Sequence, residues 1–135
     1  MAKRNKATPH AEAAGRYTRA VVSGKIAAGK YVRLACQRHL DDLAKSKAKD
    51  YPYYFDSSAA ERVCKLGEFF PHVKGVWAKR KELIKLGPWE CFLFCVAFGW
   101  KRHSTRKRRF REVYWEIPRK NGKSVLGALI GNYMF

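Results

Sequence analysis

Negative charge is scarce in this sequence. Eleven Asp and Glu stand against 29 Lys and Arg, giving +18 over 135 residues. Self-repulsion at that level works against a compact isolated monomer. A polyanion or an acidic protein surface would relieve it. Nucleic acid is the first candidate. An anionic membrane ranks lower, because no basic helix with a Trp/Leu face is visible. Long apolar runs are also lacking: the longest, Cys91 to Phe98, is far too short to span a bilayer. No secretory signal shows either. Lys3, Arg4 and Lys6 resemble a charged leader start, but Ala, Thr, Pro and His follow where an apolar stretch belongs. Cysteine is sparse and wrongly spaced for zinc. Cys36, Cys64, Cys91 and Cys95 form no Cys-x-x-Cys pair, and His39, His72 and His103 are scattered. Reduced, buried thiols of a cytosolic protein are the expected reading. Repeats and low-complexity tracts are absent.

Material for a core is present, with 47% apolar and 14% aromatic residues. Residues 1–15 read as a basic flexible tail. A helical pattern runs from about Ala11 to Ala27, with Tyr17, Ala20 and Val21 on one face and Gly24 weakening it. After Gly29, Val32, Ala35, Cys36, His39, Leu40, Leu43 and Ala44 follow the rhythm of one buried helical stripe. His39 on that stripe reads as a packed histidine. Ser58 with Glu61 forms a capping box for a helix whose inner face is Val63, Leu66, Phe69 and Phe70, stopped by Pro71. Residues 72–87 suit short extended pieces and turns. The mostly helical lead spans 16–87.

From Pro88 the pattern changes. Pro88 suits a first helical turn, and Trp89 to Phe98 is apolar nearly all round, so this helix should be buried, with Gly99 ending it. Lys101 to Arg111 is basic, with seven of eleven residues Lys or Arg and none acidic. Lys101, Arg102, Arg106, Lys107, Arg108 and Arg109 either track DNA phosphate or form a solvated or docked loop. Trp100 and Phe110 beside them read as core anchors rather than base-stacking platforms. Arg111 to Ile117 alternates, with Val113, Trp115 and Ile117 on one side of an expected strand. Gly122 to Phe135 suits a helix with Val125, Leu126, Leu129, Ile130 and Tyr133 apolar.

Between that strand and that helix stands "EIPRKNGKS", ending in the closing triplet of a phosphate-binding loop, Gly122-Lys123-Ser124. Such a loop aims backbone N–H groups and a helix N-terminus at phosphate oxygens. Gly122 would admit close backbone approach. Lys123 would reach the β- and γ-phosphates, and Ser124 would hold Mg²⁺. The full pattern places glycine where Ile117 stands. Ile117 completes the strand, and Pro118-Arg119-Lys120-Asn121 would form the loop with two extra cations. A chance basic turn is the competing reading, and the strand–loop–helix context favours the nucleotide.

"RRFREVYWEIPRKNGKS" resembles the ATPase loop of phage terminase large subunits, the motors that package DNA into capsids. The resemblance places Arg119 at that family's basic loop position, and Lys123 and Ser124 at its lysine and hydroxyl positions. "LGPWECFLFCVAFGW" is similar to its adenine-side segment, which implies Trp89 and Glu90 near the base. Glu90 stands where the family usually has Gln, and a carboxylate accepts hydrogen bonds but cannot donate as an amide does. "VVSGKIAAGKYVRLACQRHLDDL" is similar to its helical lead, so the resemblance covers about residues 16–135.

The fold implied is α/β: a helical N-terminal lead, then the first strand, P-loop and helix of an incomplete P-loop NTPase sheet at 88–135. The cofactors implied are ATP and Mg²⁺, contacted by Trp89, Glu90, Arg119, Lys120, Asn121, Gly122, Lys123 and Ser124. The partners implied are double-stranded DNA, the small terminase subunit and the portal protein, in the host cytoplasm. No Asp or Glu follows Glu116. A working P-loop ATPase needs such a group to hold Mg²⁺ and activate water. The resemblance implies that these acids and a nuclease domain lie further along a larger enzyme, so this chain alone should bind ATP weakly and not turn it over. Two other readings compete: a non-enzymatic basic nucleic-acid-binding protein, and a truncated P-loop ATPase of helicase type.

Overall fold

The computed structural model describes residues 7–135, so Lys3, Arg4 and Lys6 lie outside the described residues. In chain order the elements are α1 (Pro9–Val22), α2 (Lys30–Lys45), β1 (Tyr53–Phe55), α3 (Ser57–Glu68), α4 (Gly75–Lys79), α5 (Pro88–Gly99), β2 (Trp100–Arg102) and α6 (Lys123–Met134). Helix and strand are mixed, and the sheet is small. β1 and β2 pair antiparallel, with Tyr53 opposite Arg102, Tyr54 opposite Lys101 and Phe55 opposite Trp100.

The core is built around α5. This helix has no polar face, and from Cys91 to Gly99 every residue except half-exposed Leu93 is buried. A helix apolar all round must be covered on all sides. α1 and α3 supply most of that cover, and α6 packs against α3. Pro88 occupies its first turn, as the sequence indicates, and Glu90 Oε2 accepts the Gly87 N–H at 2.6 Å. The helix stops where Gly99 meets β1. A Cβ there would stand 2.5 Å from Phe55 Cε2, so only glycine lets the chain pass. All four cysteines are free and buried, with Cys64 and Cys95 Sγ 3.7 Å apart. Burial pushes the Cys36 thiol up to about 11.

Several expectations need correction. Helix α1 begins at Pro9, inside the segment read as a flexible tail, and ends at Val22, before Gly24 turns left-handed at φ +79°. A proline pre-set for the first turn starts the helix earlier than apolar periodicity reveals. The cap of α3 is Asp56, whose Oδ1 accepts the Ala59 N–H at 2.9 Å, and not Ser58. Glu61, the other half of the expected capping box, is buried and turned towards α1. Phe69 does not join the inner face but is 81% exposed.

The largest correction concerns Arg111 to Ile117. No strand forms there. The segment makes no backbone hydrogen bond among the described residues, and no NTPase-type sheet forms around it. A strand needs a neighbour to satisfy its N–H and C=O groups. Val113 is exposed, while Trp115 meets the Phe94 ring edge-on at 5.6 Å and Ile117 is buried. Those last two contacts hold the segment down as it approaches α6.

Candidate functional site

The turn at 118–122 enters α6 through two left-handed residues, Lys120 at φ +67° and Gly122 at φ +77°. At Gly122 a Cβ would meet nothing within 4 Å, so conformation and not space calls for glycine. Gly122 is the N-cap of α6, and no side chain caps the helix. Its carbonyl accepts the Leu126 N–H at 2.9 Å, while the amides of Lys123, Ser124 and Val125 donate to no group among the described residues. Four N–H groups at a helix start have no intrahelical partner, and side chains, water or an anion must take them.

Pro118, Arg119, Lys120, Gly122, Lys123, Ser124 and Val125 line an open cleft of about 310 Å³. The cations Arg119, Lys120 and Lys123 are exposed, and none forms an ion pair with a carboxylate among the described residues. Asn121 lies in the same turn and is exposed, outside the cleft lining. Trp89 and Glu90 do not line the cleft. Both sit half-buried at the start of α5, where the Glu90 carboxylate is already engaged by its own helix. The structure therefore brings Pro118, Arg119, Lys120, Gly122, Lys123 and Ser124 together around one cleft, and the α5 pair is not among its lining residues.

The basic run has a different arrangement. β2 and the residues after it form a hairpin that returns on itself: the Arg102 N–H bonds to the Lys107 carbonyl, and the Arg109 N–H to the Trp100 carbonyl. Two of its cations are structural. Lys101 Nζ donates to Asp56 Oδ2 at 2.7 Å. Burial alone would raise Asp56, but the hydrogen bonds from Lys101 and the Ala59 amide outweigh it and hold the carboxyl below its usual range. Arg109 donates to Asp42 Oδ2 at 2.7 Å and lies 4.3 Å from the Tyr53 ring centroid, within reach of Trp100 and Phe110 as well. The Tyr51 hydroxyl donates to the other Asp42 oxygen at 2.6 Å. Arg108 lies over Phe98. Arg102, Arg106 and Lys107 remain exposed. Trp100 is fully buried, and its indole N–H donates to His39 Nδ1 at 3.0 Å. Burial lowers His39 to about 4, so its ring is neutral and can accept that bond.

Sequence reasoning missed two groups. Asp42, not singled out by the sequence, is the buried anchor of Arg109. His10 was passed over altogether. Its Nδ1 lies 2.6 Å from Glu61 Oε1 and its Nε2 2.8 Å from Glu68 Oε2, tying α1 to α3. Burial disfavours its charge, but the two carboxylates outweigh that and raise its pKa. The available signal was the seven-residue spacing of Glu61 and Glu68, which puts both on one face of a helix.

Residues 88–133 match the family model of the terminase large subunit ATPase domain. The matched stretch runs from the first turn of α5 to the end of α6 and takes in the basic hairpin and the 118–124 turn. It covers about a third of the chain and leaves the helical lead outside. No curated protein and no solved structure matches the chain.

Proposed function

We propose that residues 88–135 are the ATP-binding opening of a terminase large subunit, part of an ATP-driven translocase of double-stranded DNA. One observation carries this reading: an uncapped helix start behind left-handed Gly122, with three unpaired cations in one cleft. The family match over the same residues supports it.

The chemistry of the donor set fits a triphosphate. The free amides of Lys123, Ser124 and Val125 and the positive end of α6 would face the phosphate oxygens. Lys123 and Arg119 would neutralise their charge, with Lys120 at the rim. The Ser124 hydroxyl would help hold Mg²⁺, which when bound would supply charge neutralisation for the phosphates. Trp89 and Glu90 would contact the base, with Glu90 Oε1 available because the Gly87 N–H takes only Oε2. DNA is the proposed partner of the exposed cations Arg102, Arg106 and Lys107, and not of Lys101 or Arg109, whose charges are taken by Asp56 and Asp42. The small terminase subunit and portal are the partners this reading implies, in a host cytoplasm.

Titration calorimetry with Mg-ATP tests the proposal. Binding by the 135-residue chain is expected, weakened at least about tenfold by Lys123→Ala, with no steady phosphate release. Equal affinity in Lys123→Ala would overturn it. A basic nucleic-acid-binding protein with an incidental loop would instead bind duplex DNA, with steep salt dependence, and ignore ATP.

A further inference from the structure

The segment between α3 and α5 projects an apolar surface that none of the described residues covers. Residues Pro71 and Leu83 form an antiparallel bridge, closed by the His72 N–H to the Glu82 carbonyl and the Ile84 N–H to the Phe70 carbonyl. α4 sits at the tip of this hairpin. Ile84 is buried and roots it. Beyond the root, Phe69 (81%), Val73 (79%), Val76 (58%), Trp77 (56%) and Leu83 (53%) are exposed. Scattered single apolar residues are ordinary on a protein surface, but five within fifteen residues on one small projection are not.

A second feature states what would cover them. Lys74, Lys79, Arg80, Lys81 and Lys85, all exposed, are interleaved with the apolar residues along the segment, and Glu82, 3.7 Å from Arg80, is its one acid. An apolar surface set among cations is complementary to an apolar stripe flanked by carboxylates. We propose that the 69–85 projection docks an acidic amphipathic helix of a partner protein. Its apolar side chains would cover Val73, Val76 and Trp77, and its carboxylates would meet Lys79, Arg80 and Lys81. The aliphatic Val73, Val76 and Leu83 decide against nucleic acid, since they offer nothing to phosphates. Trp77 already packs against the His72 ring in a tilted arrangement, with centroids 5.4 Å apart. The surface is independent of the 118–124 loop and stands whether or not that loop holds ATP.

The test uses the whole chain and a fluorescein-labelled helical peptide with a leucine stripe on one face and glutamates on the other, read by anisotropy. Binding is expected to weaken about tenfold or more in Val76→Ser/Trp77→Ser and in Lys79→Glu/Arg80→Glu. A distant reversal, Lys25→Glu/Lys30→Glu, should leave it nearly unchanged, as should the serine pair for a peptide with the stripe scrambled. All six substituted side chains are exposed, so the variants keep the fold. The proposal is overturned if the distant reversal weakens binding as much as the local one, since charge alone would then explain it. It is equally overturned if the serine pair has no effect. Trp77-dependent binding to oligo-dT or to phosphatidylserine vesicles, without binding to the peptide, would assign the surface to those partners instead.

Discussion

The basic hairpin after α5 and the basic turn before α6 read almost alike as sequence, and the fold treats them in opposite ways. In the hairpin, Arg109 and Lys101 are partly buried and held by Asp42 and Asp56, and Arg109 is bedded among Tyr53, Trp100 and Phe110. In the turn, Arg119, Lys120 and Lys123 are exposed and face no carboxylate among the described residues. A cation satisfied inside the fold supports structure. A cation left bare beside free amides has charge to spend on a ligand. With eleven acids for 29 bases, the placement of each carboxylate decides which kind a given Lys or Arg becomes.

This contrast can be broken or sharpened by substitution. The largest effect belongs to the buried pair. Asp42→Ala strands the Arg109 guanidinium and removes a hydrogen bond from Tyr51, and should destabilise by about 3 kcal/mol in urea unfolding. A loss no larger than that of an exposed ion pair would show that Arg109 finds water instead. Gly99→Ala comes next. Its Cβ would stand 2.5 Å from the Phe55 ring where the hairpin leaves α5, and about 1–3 kcal/mol should be lost. In the turn, Lys123→Ala and Arg119→Ala should each change stability by no more than about 0.5 kcal/mol, while Lys123→Ala weakens Mg-ATP binding at least about tenfold. Thermal denaturation of both variants checks this, and a drop comparable to Asp42→Ala would mean the turn is structural after all.

The smallest effect is a slope with pH. His10 has a raised pKa because Glu61 and Glu68 favour its charged form against burial. A raised value means its contribution is complete below the ordinary histidine pKa of 6.5 and is lost as pH climbs through the higher, folded-state value. Stability should therefore decline from about pH 6 upward in the wild type, relative to His10→Gln, in which that component of the slope is missing. Parallel pH profiles for the two proteins would show that the α1–α3 link is not ionic.

Much of the fold was legible because it depends on local pattern. α5 could be placed from its unbroken apolar run and Pro88, and α6 from its periodicity after Gly122. α2 begins where Gly29 ends, and His39 is the packed histidine its stripe implied, although Val32 and Ala44 at the ends of that stripe are exposed. The turn at 118–122 was legible too, because a left-handed glycine before a helix leaves a short signature. The expected strand at 111–117 failed for a non-local reason. Alternation says which side chains could share a face, but a strand exists only when another segment takes its hydrogen bonds, and none of the described residues does. The same limit hid Asp42 and His10, whose partners lie 67 and 51 residues away.

Composition and periodicity placed α2, α5 and α6, the apolar centre at α5 and the cation-rich loop, because each depends on neighbours a few residues apart, whereas α4 forms at Gly75–Lys79 where short extended pieces and turns were expected. Tertiary structure decided which charges are neutralised, which aromatic residues are buried and which segment goes unpaired. Those outcomes depend on groups brought together across the chain. The carboxylates of Asp42, Asp56, Glu61 and Glu68 engage Arg109, Lys101 and His10, and among the described residues none pairs with a cation of the loop before α6.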